Sequence, residues 1–244
     1  MSYYLGNYVY EQLFTDILHS ECRQWENQFF KVTSLWRLMT PTILLIACGA
    51  LARELVQIVR LNRWQQVRIQ CLPPGLHNKP ERIPAAVRDL LEKNRGHYQN
   101  IFVAYADCGT GGKLDAVLQE FGVERLPGAH CYEFFVGGSD FQAMSEAEAG
   151  TFYLTDFLVR HFDRLVRKGL GLDKHPELKD AYFGNYRRVL YLAQSDDQEL
   201  SDQAKRHAEY LELEYEYHFT GSGRVEQLIQ EHIVRWQYCS TLEE

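Results

Sequence analysis

Three cysteines in this chain, Cys48, Cys108 and Cys131, sit where a sulfur can do chemistry. Cys48 and Cys108 each follow a short run of branched apolar residues, Thr42 to Ala47 and Ile101 to Ala106, and each directly precedes a glycine. That pattern places a thiol at the end of a buried strand, with a residue behind it that lets the backbone turn or approach a ligand. Cys131, beside His130 and two residues before Glu133, supplies a third thiol from a separate loop. Thiolates are soft donors favoured by zinc and iron, and three protein ligands leave a position open for substrate or water. The trio is therefore read as a metal site for zinc or an iron–sulfur cluster. The bland alternative for each thiol is a small hydrophobe in the core.

Other side chains near these thiols extend the reading. His77, in the loop Pro73-Pro74-Gly75-Leu76-His77-Asn78, is placed as a general acid/base or a fourth ligand. Asp107, next to Cys108, and Glu133, close to Cys131, are candidate catalytic carboxylates. Gly109-Thr110-Gly111-Gly112, followed by Lys113, reads as a cradle of peptide N–H groups for a small acidic molecule, or else as a tight strand-to-helix turn. Thr220 to Gly223 is a weaker example of the same pattern. Asp156 is either an acid/base or a helix cap, and Cys22, Cys71 and Cys239 are structural or incidental.

These residues need a scaffold, and apolar patterning supplies an α/β one: mainly parallel sheet built from Rossmann-like β–α units. Strands are expected at Thr42 to Ala47, Val67 to Leu72, Ile101 to Ala106, Val123 to Leu126, Arg188 to Ala193 and Glu214 to Phe219. Helices are expected at Leu51 to Arg60, Pro84 to Lys93, Leu114 to Phe121, Glu199 to Leu211 and Arg224 to Trp236, with a long one at Tyr153 to Arg167. Residues 39 to 244 form the α/β body, divisible into two halves at about 39 to 150 and 185 to 244 with a helical segment between. Residues 1 to 38 are an aromatic-rich extension with helix-like spacing, suited to docking or packing, and Met39 is an alternative translation start.

Composition narrows the class. The chain has 244 residues, 45% hydrophobic and 24% charged, with a net charge of −7. No basic block with interleaved aromatics is present to follow phosphates, which argues against nucleic acid as a partner. No apolar run is long enough to span a membrane, and six dispersed cysteines suit reduced thiols, so a cytoplasmic location is expected.

Ala47-Cys48-Gly49-Ala50-Leu51, Leu76-His77-Asn78, Tyr105-Ala106-Asp107-Cys108-Gly109-Thr110-Gly111-Gly112, Gly128-Ala129-His130-Cys131-Tyr132-Glu133, Phe152-Tyr153-Leu154-Thr155-Asp156 and Gly171-Leu172-Asp173-Lys174-His175-Pro176-Glu177-Leu178 form a recognisable series. It resembles the family known as domain of unknown function 1638, over roughly residues 42 to 232. The resemblance carries no assigned activity and no named catalytic residue. It implies a setting beside corrinoid-dependent methyltransferase systems.

Three functions follow as expectations. The first is a metalloprotein acting on a small acidic molecule or in corrinoid-linked methyl transfer. The second is a metal-free cysteine acid/base enzyme similar to the racemases of acidic amino acids, although the Asn-Thr and Thr-His companions of that family are missing here. The third is a non-enzymatic, cofactor-binding accessory protein.

Overall fold

The computed structural model describes residues 42 to 240, with side chains through Ile233. The expectations for residues 1 to 38, Met39, Cys22 and the side chain of Cys239 fall outside the described residues. The chain divides into two compact units, with the boundary between Pro127 and Gly128.

In the first unit, β1 (Ile43–Cys48), β2 (Val67–Leu72), β3 (Asn100–Ala104) and β4 (Glu124–Arg125) form a wholly parallel sheet in the order β2-β1-β3-β4. The sequence of β1, Ile-Leu-Leu-Ile-Ala-Cys, has no polar residue, as a strand covered on both faces requires, and all six residues are buried. Burying one such Leu or Ile stabilises the fold by roughly 1.5–3 kcal/mol, so β1 anchors the unit. The helices α1 (Ala52–Leu61), α2 (Ile83–Lys93) and α3 (Lys113–Phe121) follow β1, β2 and β3 in turn. Pro84 near the start of α2 and Gly122, left-handed at φ +65°, after α3 mark a helix entry and a helix exit. From β1 the chain passes to β2 on one side and later to β3 on the other. The β1/β3 boundary is thus where the order reverses, the place where ligand crevices form in open parallel sheets.

In the second unit, β5 (Thr151–Thr155), β6 (Arg188–Ala193) and β7 (Glu214–Phe219) form a parallel sheet in sequential order. The other elements are α4 (Glu133–Val136), α5 (Gly138–Ala147), α6 (Asp156–Arg160), a π-helical turn at Asp163–Lys168, α7 (Leu178–Phe183), α8 (Gln198–Leu211) and α9 (Val225–Ser240). Leu154, Val159, Phe162, Val189, Tyr191, Ala204 and Ala208 lie in its core.

The long helix expected from Tyr153 to Arg167 is instead a strand, a short helix and a π-helical turn. Thr151-Phe152-Tyr153-Leu154-Thr155 is β-branched and aromatic, and pairing with Arg188 to Leu192 outweighs the helical stripe that its apolar residues also satisfy. The Thr155 side chain accepts the N–H of Leu158 and opens α6. β5 therefore belongs to the second sheet, and the sequence boundary of the two units falls between Pro127 and Gly128.

Candidate functional site

Three adjacent strands of the first sheet deliver their carboxyl ends to one edge. β1 ends in Cys48, β2 runs into the turn that carries His77, and β3 leads to Cys108. Cys48 is fully buried and Cys108 is 6% exposed, while His77 presents part of its ring to solvent.

The approach of His77 to Cys48 depends on Gly49 and Pro74. Pro73-Pro74 stops β2 and starts a 3₁₀ turn at Pro74–Asn78, which swings the histidine back over the end of β1. A Cβ on Gly49 would lie 2.9 Å from Pro74 Cδ and 3.0 Å from the Leu72 carbonyl oxygen, so a glycine is what admits the turn. His77 Nδ1 is then 3.2 Å from the Pro74 carbonyl and 3.7 Å from Cys48 Sγ. A carbonyl only accepts, so Nδ1 carries a proton, and Nε2 is the nitrogen that can bind a ligand once its own proton is displaced.

Cys48 occupies the cap position of the helical run that starts at Gly49, and its sulfur accepts the N–H of Ala50 at 3.4 Å. The interaction with Cys48 pushes the His77 pKa well above the usual histidine value against the opposing effect of burial, and hydrogen bonding to Cys108 adds to this. A ring nitrogen of His77 and Cys108 Sγ lie within 4.8 Å of each other, a spacing two donors can share on one ion.

Cys108 has a left-handed backbone, φ +50°, an uncommon conformation for a residue with a side chain. Gly109, Gly111 and Gly112 are left-handed too, at φ +82°, +61° and +80°. This coil is closed by Asp107, which accepts Thr110 Oγ1 at 2.7 Å, Gly112 N at 2.9 Å and Gly111 N at 3.1 Å. The Thr110 hydroxyl and those two N–H groups hold the Asp107 carboxyl below the usual carboxylate range. In the stretch expected to form an anion cradle, Gly109 to Gly112, the N–H groups of Gly111 and Gly112 donate to the chain's own carboxylate. Asp107, a candidate catalytic carboxylate, closes the loop. Arg125, paired with Asp115 at 2.6 Å, adds positive charge that interacts with Asp107 and Cys108.

Cys131 lies in the second unit, buried and just before α4. Glu133 plays the part there that Asp107 plays in the first unit, accepting the N–H groups of Ala129 at 2.9 Å and His130 at 2.8 Å. This candidate catalytic carboxylate thus folds the loop that carries the thiol. The stretch Thr220 to Gly223 is likewise no cradle. Thr220 N and Gly221 N donate to the Ala193 carbonyl, and a Cβ on Gly223 would lie 2.2 Å from Phe135 O. Asp156 is buried and accepts Tyr191 Oη at 2.7 Å and Gln194 N at 2.9 Å, so it joins the ends of β5 and β6.

A family model described as "Protein of unknown function (DUF1638)" matches residues 71–229. The chain belongs to this DUF1638 family. The match contains His77, Cys108 and Cys131, and it begins after Cys48, later than the residue 42 expected from the motifs. No curated protein and no solved structure matches the chain. No described helix is long and apolar enough to cross a membrane.

The structure brings His77, read from the sequence as a loop histidine, beside Cys48 and Cys108. A histidine in a proline-rich loop has no periodicity to betray it; the available signal was Pro73-Pro74, which ends β2 abruptly beside a cysteine that closes the neighbouring strand.

Proposed function

We propose that this DUF1638 protein is a metalloprotein that holds one transition-metal ion, zinc first among the candidates, with His77 and Cys108 of the first unit as ligands. Cys48 is the outer partner of His77 rather than a ligand. The observation that carries this reading is the set of contacts around Nδ1: engaged by the Pro74 carbonyl and Cys48 Sγ, it orients the ring and leaves Nε2 as a donor. Metal-bound histidines characteristically give their other N–H to such an outer partner.

Thiolate and imidazole donors suit zinc, whereas an iron–sulfur cluster asks for four protein ligands. Bound there, the ion supplies Lewis acidity that activates a thiol or water. Activation of a thiol for methyl transfer is the reaction class that fits, in keeping with a corrinoid-linked setting. Elemental analysis of anaerobically purified protein tests the proposal. About one equivalent of zinc is expected, and less than about a tenth of an equivalent of zinc or iron overturns it.

A metal-free reading rests on the same Cys48–His77 contact, which is also the arrangement of an activated thiol with its base. Full activity of a zinc-free protein in the presence of chelator would favour it.

A further inference from the structure

We infer that Asp107 is the positioning residue of the proposed metal site: its carboxylate fastens the coil from Cys108 to Gly112 and thereby holds the Cys108 thiol on the side of His77. The inference rests on the metal reading above, but the geometry behind it stands independently.

A left-handed backbone at a residue with a side chain is strained and persists only where the surroundings impose it. Glycine would remove that strain at position 108 but would also remove the sulfur. At Cys108, φ +50°, the surrounding bonds all converge on the residue before it. Thr110 N donates to the Asp107 carbonyl at 3.1 Å, while Thr110 Oγ1 and the N–H groups of Gly111 and Gly112 donate to its carboxylate. Neither carboxylate oxygen is left without a donor, which suits a clamp and not a ligand. On the far side, the α-carbon of Gly109 backs onto Pro80, where an added Cβ would lie 3.5 Å from the proline ring. The coil is thus held from within by Asp107 and backed by the segment just after His77, so the two donors are set against each other by one piece of structure.

Cobalt(II) titration of the full chain tests this, read by sulfur-to-cobalt charge-transfer absorption. The Asp107→Ala protein is expected to bind at least about 10-fold more weakly than the native protein, the usual effect of losing an outer partner, with a weaker charge-transfer band at saturation. Asp107→Asn keeps one carbonyl oxygen for Thr110 and Gly112 and is expected to recover most of the affinity. Thr110→Val, which removes a single bond, is expected to fall between. Native affinity and an unchanged band in Asp107→Ala overturn the inference. If Asp107→Ala does not fold by circular dichroism, Asp107→Asn and Thr110→Val decide, and native behaviour in both overturns it. Should the native protein bind no cobalt, the metal reading fails. The clamp is then judged by iodoacetamide labelling of Cys108 in native and Asp107→Asn protein, faster labelling in the variant supporting it and equal rates refuting it.

Discussion

His77 Nδ1 faces two acceptors at once, the Pro74 carbonyl at 3.2 Å and Cys48 Sγ at 3.7 Å. Each partner comes from a different strand end, β2 and β1, and the pair turns a surface-loop histidine into an oriented donor at the reversal point of the sheet.

This relationship separates the roles of two cysteines that look alike in sequence. Replacing Cys108 by serine is expected to remove high-affinity zinc binding. Replacing Cys48 by alanine is expected to weaken it by only about 10–100-fold, the usual effect of losing an outer partner. Competition against a chromophoric chelator measures both, and equal losses would make Cys48 a ligand.

Gly49 is the joint that admits the histidine turn. Gly49→Ala brings a methyl group to 2.9 Å from Pro74 Cδ and 3.0 Å from the Leu72 carbonyl, and backbone there cannot retreat without moving β2. Overpacking of this kind costs about 1–3 kcal/mol. Urea denaturation should show that loss together with weaker zinc binding, and a variant as stable and as tight as the native protein would remove Gly49 from the account.

Asp156 is a structural anchor of the second unit. It is 1% exposed and takes hydrogen bonds from Tyr191 and Gln194, with a further short one from Ser195 and Arg160 NH2 3.7 Å away. Asp156→Ala leaves a buried hydroxyl and a backbone N–H without their acceptor, and a loss of about 3 kcal/mol or more is expected. Thermal unfolding measures it, and a change below about 0.5 kcal/mol, as at ordinary surface sites, would contradict the assignment.

His207 gives the fold a pH dependence of known sign. Burial pushes its pKa below the usual histidine value; the ring stacks on Phe162 at 4.0 Å, and Nε2 donates to the Val159 carbonyl at 3.1 Å. A histidine with a depressed folded-state pKa binds fewer protons folded than unfolded. Its contribution is therefore complete above the unfolded value of about 6.5 and is lost as pH falls from there through the folded value. Urea midpoints at pH 7.5 and 5.5 should fall further in the native protein than in His207→Gln. An equal fall in both would show that His207 does not couple stability to pH.

The fold was legible where one physical demand dominated. Ile43–Cys48 and Arg188–Ala193 are too apolar for any exposed element and too short for a buried helix, so both read as central strands. Thr151–Thr155 was hidden because its apolar residues satisfy a helical stripe running on to Arg167, and only pairing with β6 settles the choice. In the site, the two strand-end thiols could be read from the glycine that follows each. The purpose of Gly109 to Gly112 could not, because a glycine coil looks the same whether its N–H groups meet a ligand or the carboxylate just before it. The clue was Asp107 itself, with Thr110 three residues on, the spacing at which an aspartate closes its own turn.

X-ray absorption at the zinc edge of the natively loaded protein tests the ligand set most directly. Sulfur at about 2.3 Å and an imidazole nitrogen at about 2.0 Å are expected, with one sulfur lost in Cys108→Ser and none in Cys48→Ala. A shell without imidazole, a sulfur shell unchanged in Cys108→Ser, or a protein with no zinc to measure, would contradict a centre built on His77 and Cys108.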